Sequence, residues 1–307
     1  SHYDPTKMIT VVAGKTTYTD FVDNELIHFS NADNIRSLPH VMDGLKPSQR
    51  KILFCCIKRN LKDEIRVAQL AGYVSEHAAY HHGEASLNGT IIGMAQNFVG
   101  SNNINLLLAN GQFGTRLQGG KDSSSERYIF TYLNPITRLI YKKEDDKVLK
   151  YLNDDGHPVE PLFYVPIIPM ILVNGSTGIG TGFSTEIMCY NPLQIIEYLK
   201  NKLLNIEDEI EFLPYYEGFK GQITKISDGK FLTRGCYEKL ANDKIRVTEL
   251  PVGYWTEDFK ELLEDLIEPG QDKEGKKIAA TVKEYDDMSK DTNVDFTITF
   301  ADRKSVV

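Results

Sequence analysis

Two helical stretches joined by a short polar turn, with extended segments and a glycine-broken loop behind them, limit what this chain can fold into. Residues 67–79 and 86–98 carry apolar side chains at helical spacing, and Tyr80-His81-His82-Gly83-Glu84 separates them. Two helices around a glycine turn, followed by strands, suit a helix-turn-helix with a β wing. The wing is expected over residues 104–108 and 128–133, around a loop that opens at Gly114. In that loop Gly119-Gly120 permit positive φ or close approach to a ligand. Arg116, Lys121 and the serines 123–125 offer donors to an anion such as phosphate. The loop closes on Arg127-Tyr128. A phenol titrates near 10, so it attacks only with a base, a cation or a metal beside it. In a chain with 16 tyrosines an Arg-Tyr pair is, by itself, more often structural.

The 307 residues are enough for two domains, each with its own core. No apolar stretch approaches the roughly 20 residues that span a bilayer, and no signal-peptide pattern opens the chain, so no membrane partner is expected. Cys55, Cys56, Cys189 and Cys236 have neither metal-ligand spacing nor a disulfide framework, which points to a reducing compartment. The net charge of −8 argues against nucleic acid until its distribution is read. From Arg36 to Arg66 eight Lys/Arg stand against Asp43, Asp63 and Glu64, a net of +5. From Asn201 onward 16 Lys/Arg stand against 23 Asp/Glu, a net of −7. One half can carry a phosphate-binding face while the other is an acidic scaffold. Without further motifs, a solvated helix face explains the basic run equally well.

Residues 1–16 read as a connector, and residues 19–38 as a helix with Phe21, Leu26, Ile27 and Phe29 in period. Pro47 opens a second helix, turning Ile52, Leu53, Cys56 and Ile57 inward and Arg50, Lys51, Lys58 and Arg59 outward. Residues 134–168 lead away from this unit. A second domain is expected from residue 166, with a helix from Asn191-Pro192 to about Leu204, strands near Gly221, Gly229, Ile245 and Phe296, and an acidic helix over 256–267. The end at Val307, just past a strand-like run, reads as that of a fragment. The fold class is α+β: a winged-helix domain followed by a mixed α/β domain.

Two motifs have a second reading. His77 and His81 lie four residues apart, a spacing that can bind a metal on a helix, although structural histidines are commoner. Gly178-Ile-Gly-Thr-Gly182 has the look of a dinucleotide loop but lacks the strand–helix unit around it.

The run Gly119-Gly120-Lys121-Asp122, small residues and then Arg127-Tyr128 resembles the active-site loop of eukaryotic-type type IIA DNA topoisomerases. So do Asp33-Asn34-Ile35-Arg36-Ser37, the run from Asp43-Gly44-Leu45-Lys46 to Arg50-Lys51, Tyr80 to Glu84, and Gln96-Asn97-Phe98-Val99-Gly100-Ser101. Pro169 to Gly175 and Gly178 to Gly182 fit as well, in the family's order. The resemblance implies a connector over 1–28, a winged-helix domain over 29–165 and a tower domain over 166–307. It implies that Tyr128 is the nucleophile that forms a 5′-phosphotyrosyl link, with Arg127 stabilising the phosphate and His82 close by as donor or base. Arg36, Lys46, Arg50, Lys51, His81, Arg116 and Lys121 are then the positions along the DNA backbone, and Ile179 the wedge between base pairs. Double-stranded DNA and a second copy of the chain are the implied partners, with the nucleus, or the replication site or virion of a large DNA virus, as the location. Mg²⁺ and ATP would be bound outside these residues, and no residue here is assigned to a metal, so the isolated chain is expected to bind DNA but cleave it poorly. Glu126 departs from the family's small residues and could compete for Arg127. Three other readings stay open: a non-catalytic winged-helix module, the bacterial-type branch, and a metallohydrolase built on His77, His81, His82 and Glu84.

Overall fold

The computed structural model describes residues 6, 8–9, 11–207, 210–270 and 278–301; the start of the expected connector and Val307 lie outside them. Residues 18–37 are continuously helical: Tyr18–Phe21 leads into a π segment, Val22–Leu26, and then into α1 (Ile27–Ser37). The periodic Phe21, Leu26 and Phe29 nevertheless stand exposed. α2 (Pro47–Lys58) starts with proline at its first position, and Gln49 Oε1 accepts the Lys46 N–H at 2.9 Å. This satisfies a donor that the helix itself leaves without a partner. It buries Ile52, Leu53, Cys55 and Cys56. β1 (Ile65–Arg66) leads into α3 (Val67–His77), which buries Val67, Leu70, Ala71 and Val74, and α4 (Glu84–Ala95) buries Leu87, Ile91, Met94 and Ala95. Three helices thus pool their apolar stripes in one core.

The core is closed by a sheet of order β1–β3–β2, with β2 (Leu107–Asn110) and β3 (Phe130–Leu133) antiparallel and Ile65 opposite Thr131. The helix-turn-helix with a sheet is therefore present. Its second strand begins two residues later than expected, leaving Tyr128 in a turn. That turn closes through Tyr128 N–H to Ser125 O at 2.9 Å and is pinned to the start of α3 by Ala68 N–H to Glu126 O and Val67 N–H to Ile129 O.

Packing does not divide the chain at 165/166. β4 (Tyr151–Asp154) and β5 (His157–Pro161) form a hairpin beside α2, and Ile168, Met170, Val173 and Ile195 then join the first core. Asn103 Nδ2 donates to the carbonyls of Val173, Tyr190 and Tyr215, and Asn174 exchanges two hydrogen bonds with Ile104. Side-chain amides thereby bind residues 170–215 to the helical unit. In this stretch β6 (Ser176–Ile179) and β7 (Ser184–Ile187) form a hairpin, and α5 (Pro192–Leu203) follows behind the N-cap Asn191. Past the hairpin of β8 (Gln222–Ser227) and β9 (Lys230–Arg234) comes a separate core. β10 (Cys236–Ala241), β11 (Lys244–Glu249), β12 (Val282–Asp287) and β13 (Phe296–Phe300) form a sheet of order β10–β11–β13–β12. Leu263 of α6 (Thr256–Ile267) packs with Val247, Val282, Phe296 and Ile298. No helix among the described residues is long and apolar enough to cross a membrane.

Candidate nucleic-acid interface

A cleft of about 900 Å³ opens between α1, the start of α2, the Tyr80–His82 turn and the two hairpins. Arg36, Lys46, Lys51, His81, His82 and Ile179 all line it. Arg36, on the last turn of α1, has no carboxylate partner among the described residues. Lys46, just ahead of α2, donates from Nζ to Thr177 O at 2.8 Å, which leaves its charge uncompensated. Lys51 is more committed: its Nζ lies 2.9 Å from the buried Glu160 carboxylate and also donates to Ala78 O. His81 Nε2 meets Asp154 Oδ2 at 3.2 Å with the imidazole exposed, and His82 sets its ring edge-on to Tyr80.

The glycines of 178–182 are explained by contact with α1. A Cβ on Gly178 would run into the backbone of Ser37, and one on Gly180 into Asn34. Asn34 Nδ2 donates to Thr181 O, and Thr181 Oγ1 to Asp33 Oδ2 at 2.8 Å. The hairpin thus rests on α1 and holds Ile179 at its tip, 79% exposed. A dinucleotide loop would need a helix opening after it; here the chain turns back into β7.

Two expected DNA contacts are turned inward. Arg50 is buried, not on the outer side of α2: its Nε and Nη2 grip Asp43 at 2.7 and 2.9 Å, and Nη2 also reaches Leu45 O. Asp43 in turn accepts the N–H groups of Leu45 and Tyr164. Gly44 beside it has φ +69°, and a Cβ there would lie 2.7 Å from Ile171 Cα. Arg50 therefore builds the loop that presents Lys46. Arg116 is buried as well, held by both carboxylate oxygens of Glu249 from the second core. Lys121 remains exposed, while its neighbour Asp122 staples the loop through Thr115 N–H at 2.8 Å and the Thr115 hydroxyl.

Tyr128 is 77% exposed on its turn, beside an exposed Arg127. Arg127 lines a different cleft, of about 480 Å³, with Glu84, Asn88, Gly89 and Ser123–Glu126. Neither Arg127 nor Tyr128 lines the Lys46–His82 cleft. Glu126 does not pair with Arg127; its carboxylate accepts from Ser125 Oγ at 3.4 Å. His77 points away from His81: its Nδ1 is 3.0 Å from Tyr73 O and its ring stacks on Tyr73. Among the described residues no three His, Cys, Asp or Glu side chains converge on a metal position. Burial pushes the Cys55 thiol up to about 12 and Cys189 up to about 11, which makes them poor nucleophiles.

The sequence matches the DNA gyrase/topoisomerase IV family over residues 36–306. The chain belongs to that family. Within it, the chain is similar to eukaryotic DNA topoisomerases 2. DNA topoisomerase 2 of Drosophila melanogaster is 51% identical over 285 residues, 93% of this chain and 19% of the relative. DNA topoisomerase 2 of Arabidopsis thaliana is 50% identical over 302 residues, 97% of this chain and 20% of the relative. The solved structure of the Plasmodium falciparum topoisomerase II DNA-binding, cleavage and re-ligation domain superposes with a TM-score of 0.87 at 47% identity, covering 97% of this chain and 40% of that one. The chain spans about a fifth of the length of these curated relatives.

Proposed function

We propose that this chain is the DNA-binding and cleavage core of an ATP-dependent type II DNA topoisomerase, and that Tyr128 is its nucleophile. The observation that carries the reading is Arg127-Tyr128 on an exposed turn pinned at both ends to α3. The Tyr128 oxygen attacks a backbone phosphorus, the bond from phosphorus to the 3′ oxygen breaks, and the 3′-hydroxyl leaves with a proton while the 5′-phosphate stays on the protein. Resealing is the reverse and needs no external energy source. Arg127 stabilises the charge that grows on the phosphoryl oxygens. Lys46, Arg36, Lys51, His81 and Lys121 position the duplex without reading its sequence, and His82 is placed to exchange a proton or donate to a phosphate oxygen. Arg50 and Arg116 act through Lys46 and through the Gly114 loop. Ile179 unstacks a base step for a few kcal/mol and bends the duplex.

That neither Arg127 nor Tyr128 lines the Lys46–His82 cleft is in keeping with a site completed by two copies, each tyrosine cutting one strand. Residues 29–165 serve as the winged-helix unit, and residues from 166 onward as the tower, whose first part is sewn to it. The described residues do not by themselves fit a divalent cation; Mg²⁺ and ATP are proposed to bind elsewhere in the whole enzyme, and no step here is routed through them. The nucleus is the proposed location. Linkage polarity tests the reaction. After detergent quenching of the full-length enzyme on a duplex, the 5′ end should be blocked by protein and the 3′ end extendable by a polymerase; a blocked 3′ end would overturn the assignment.

A further inference from the structure

The loop that carries Arg127-Tyr128 is gripped from behind by the second core. Glu249, 1% exposed at the end of β11, takes both guanidinium donors of Arg116 and also accepts the N–H groups of Lys220 and Leu250. The first turn of α6 points two free N–H groups at the same loop: Thr256 N–H donates to Arg116 O and Glu257 N–H to Leu117 O. Trp255 lies against Gly119, where a Cβ would run into the indole, and approaches Gly100 as well. Inside the loop, Asp122 ties back to Thr115, and Ser124 N–H donates to Gln112 O at 2.9 Å. Only Ser125 and Glu126 separate these ties from Arg127.

A buried ion pair is a poor source of stability, because desolvating both charges offsets their attraction. A bidentate arginine–carboxylate pair does fix direction and distance. The Arg116–Glu249 pair joins an element of the first unit to an element of the second, 133 positions apart in sequence. We infer that Glu249 and Trp255 are positioning residues for cleavage: the second unit holds the 114–122 loop so that the Tyr128 turn is presented to a phosphate. The inference rests on the reading of Tyr128 as nucleophile.

The test uses the full-length enzyme with R116M/E249Q. Replacing both partners together leaves no unpaired buried charge; the Lys220 and Leu250 N–H groups bond to different carboxylate oxygens, and the single amide oxygen of the glutamine keeps an acceptor for one of them. The measurements are duplex Kd, covalent trapping at saturating duplex, and hydrogen exchange of peptides from the loop and from α2–α4. Trapping should fall by up to about a hundredfold, the cost of a reacting group displaced by about 1 Å, with Kd within about twofold, faster exchange in 114–122 and unchanged exchange in α2–α4. Parental trapping, or trapping that falls only in step with affinity, overturns the inference. If the double variant does not fold, Trp255→Ala, a partly exposed position, decides by the same criteria. Tyr128→Phe runs beside them. If it still traps DNA, the nucleophile reading fails; if it does not while R116M/E249Q traps like the parent, only the positioning role falls.

Discussion

The cleft lined by Arg36, Lys46 and Lys51 and the second core around the sheet of β10–β13 both display basic side chains, but the cleft, where Lys51 alone of the three is paired, with Glu160, leaves two of them open among the described residues. On the sheet, Arg246 is gripped by Asp295 at 2.8 Å and reached by Glu238, and Lys260 of α6 faces Asp287 of β12. In the cleft, Lys46 meets only a carbonyl, and Arg36 has no carboxylate partner among the described residues. A charge neutralised inside the protein has little left for a ligand. A charge held open releases counterions when a phosphate arrives. The net charge of −8 is therefore compatible with DNA binding: the acidic excess falls in residues 201–307, outside the basic Arg36–Arg66 run.

The comparison breaks most readily at Arg50. It shares a helix with Lys51 and, like it, belongs to the neutralised kind, so Arg50→Ala should destabilise the fold by about 3–5 kcal/mol by leaving Asp43 buried and unpaired. Chemical denaturation would show this as a lower midpoint, while Arg36→Ala should stay within about 0.5 kcal/mol of the parent. At Lys46 the order reverses. Lys46→Ala should leave the midpoint nearly unmoved and lower the salt slope of duplex binding by about one; an unchanged slope would remove Lys46 from the DNA path.

How much of this can be read from the letters depends on how far away each partner lies. The helix pair around Tyr80–Glu84 and the inward faces of α2 and α3 are legible, because three- and four-residue spacing records burial locally. The hairpin tip at Ile179 is marked by its glycines and given a role by resemblance, although its support on Asn34 lies 147 positions away. Arg50 and Arg116 read wrongly as surface cations, since a sequence shows a charge and not its destination. Arg50 has a local signal after all: Asp43 seven residues earlier, with Gly44 between, marks a loop folded back on a helix. Nothing near Arg116 points to Glu249. The ties across 165/166 are invisible for the same reason, as Asn103 and Asn174 stitch residues 170–215 to the helical unit by side-chain amides that periodicity does not register.

Smaller effects sharpen the contrast. Ile179→Ala removes an exposed side chain, so stability should be unchanged. The bend in bound duplex, read by energy transfer between its ends, should shrink as the few-kcal/mol wedge is lost. The sheet should respond to acid. The Arg246 hydrogen bond holds Asp295 below the usual aspartate range. Its contribution is present above the unfolded pKa, about 3.9, and is lost as pH falls through the lower folded value. Asp295→Asn should therefore flatten the acid limb of a stability curve, an effect that solvent screening keeps small.

Covalent trapping by Tyr128→Phe beside the parent, in the full-length enzyme with end-labelled duplex and Mg²⁺, is the most direct test of the central claim. The parent should carry label into the protein band after detergent quenching, on the 5′ side of a staggered cut, and the variant should carry none while binding duplex with parental affinity. Label retained by the variant, or absent from the parent, would make the loop a binding element and this chain a non-catalytic winged-helix module.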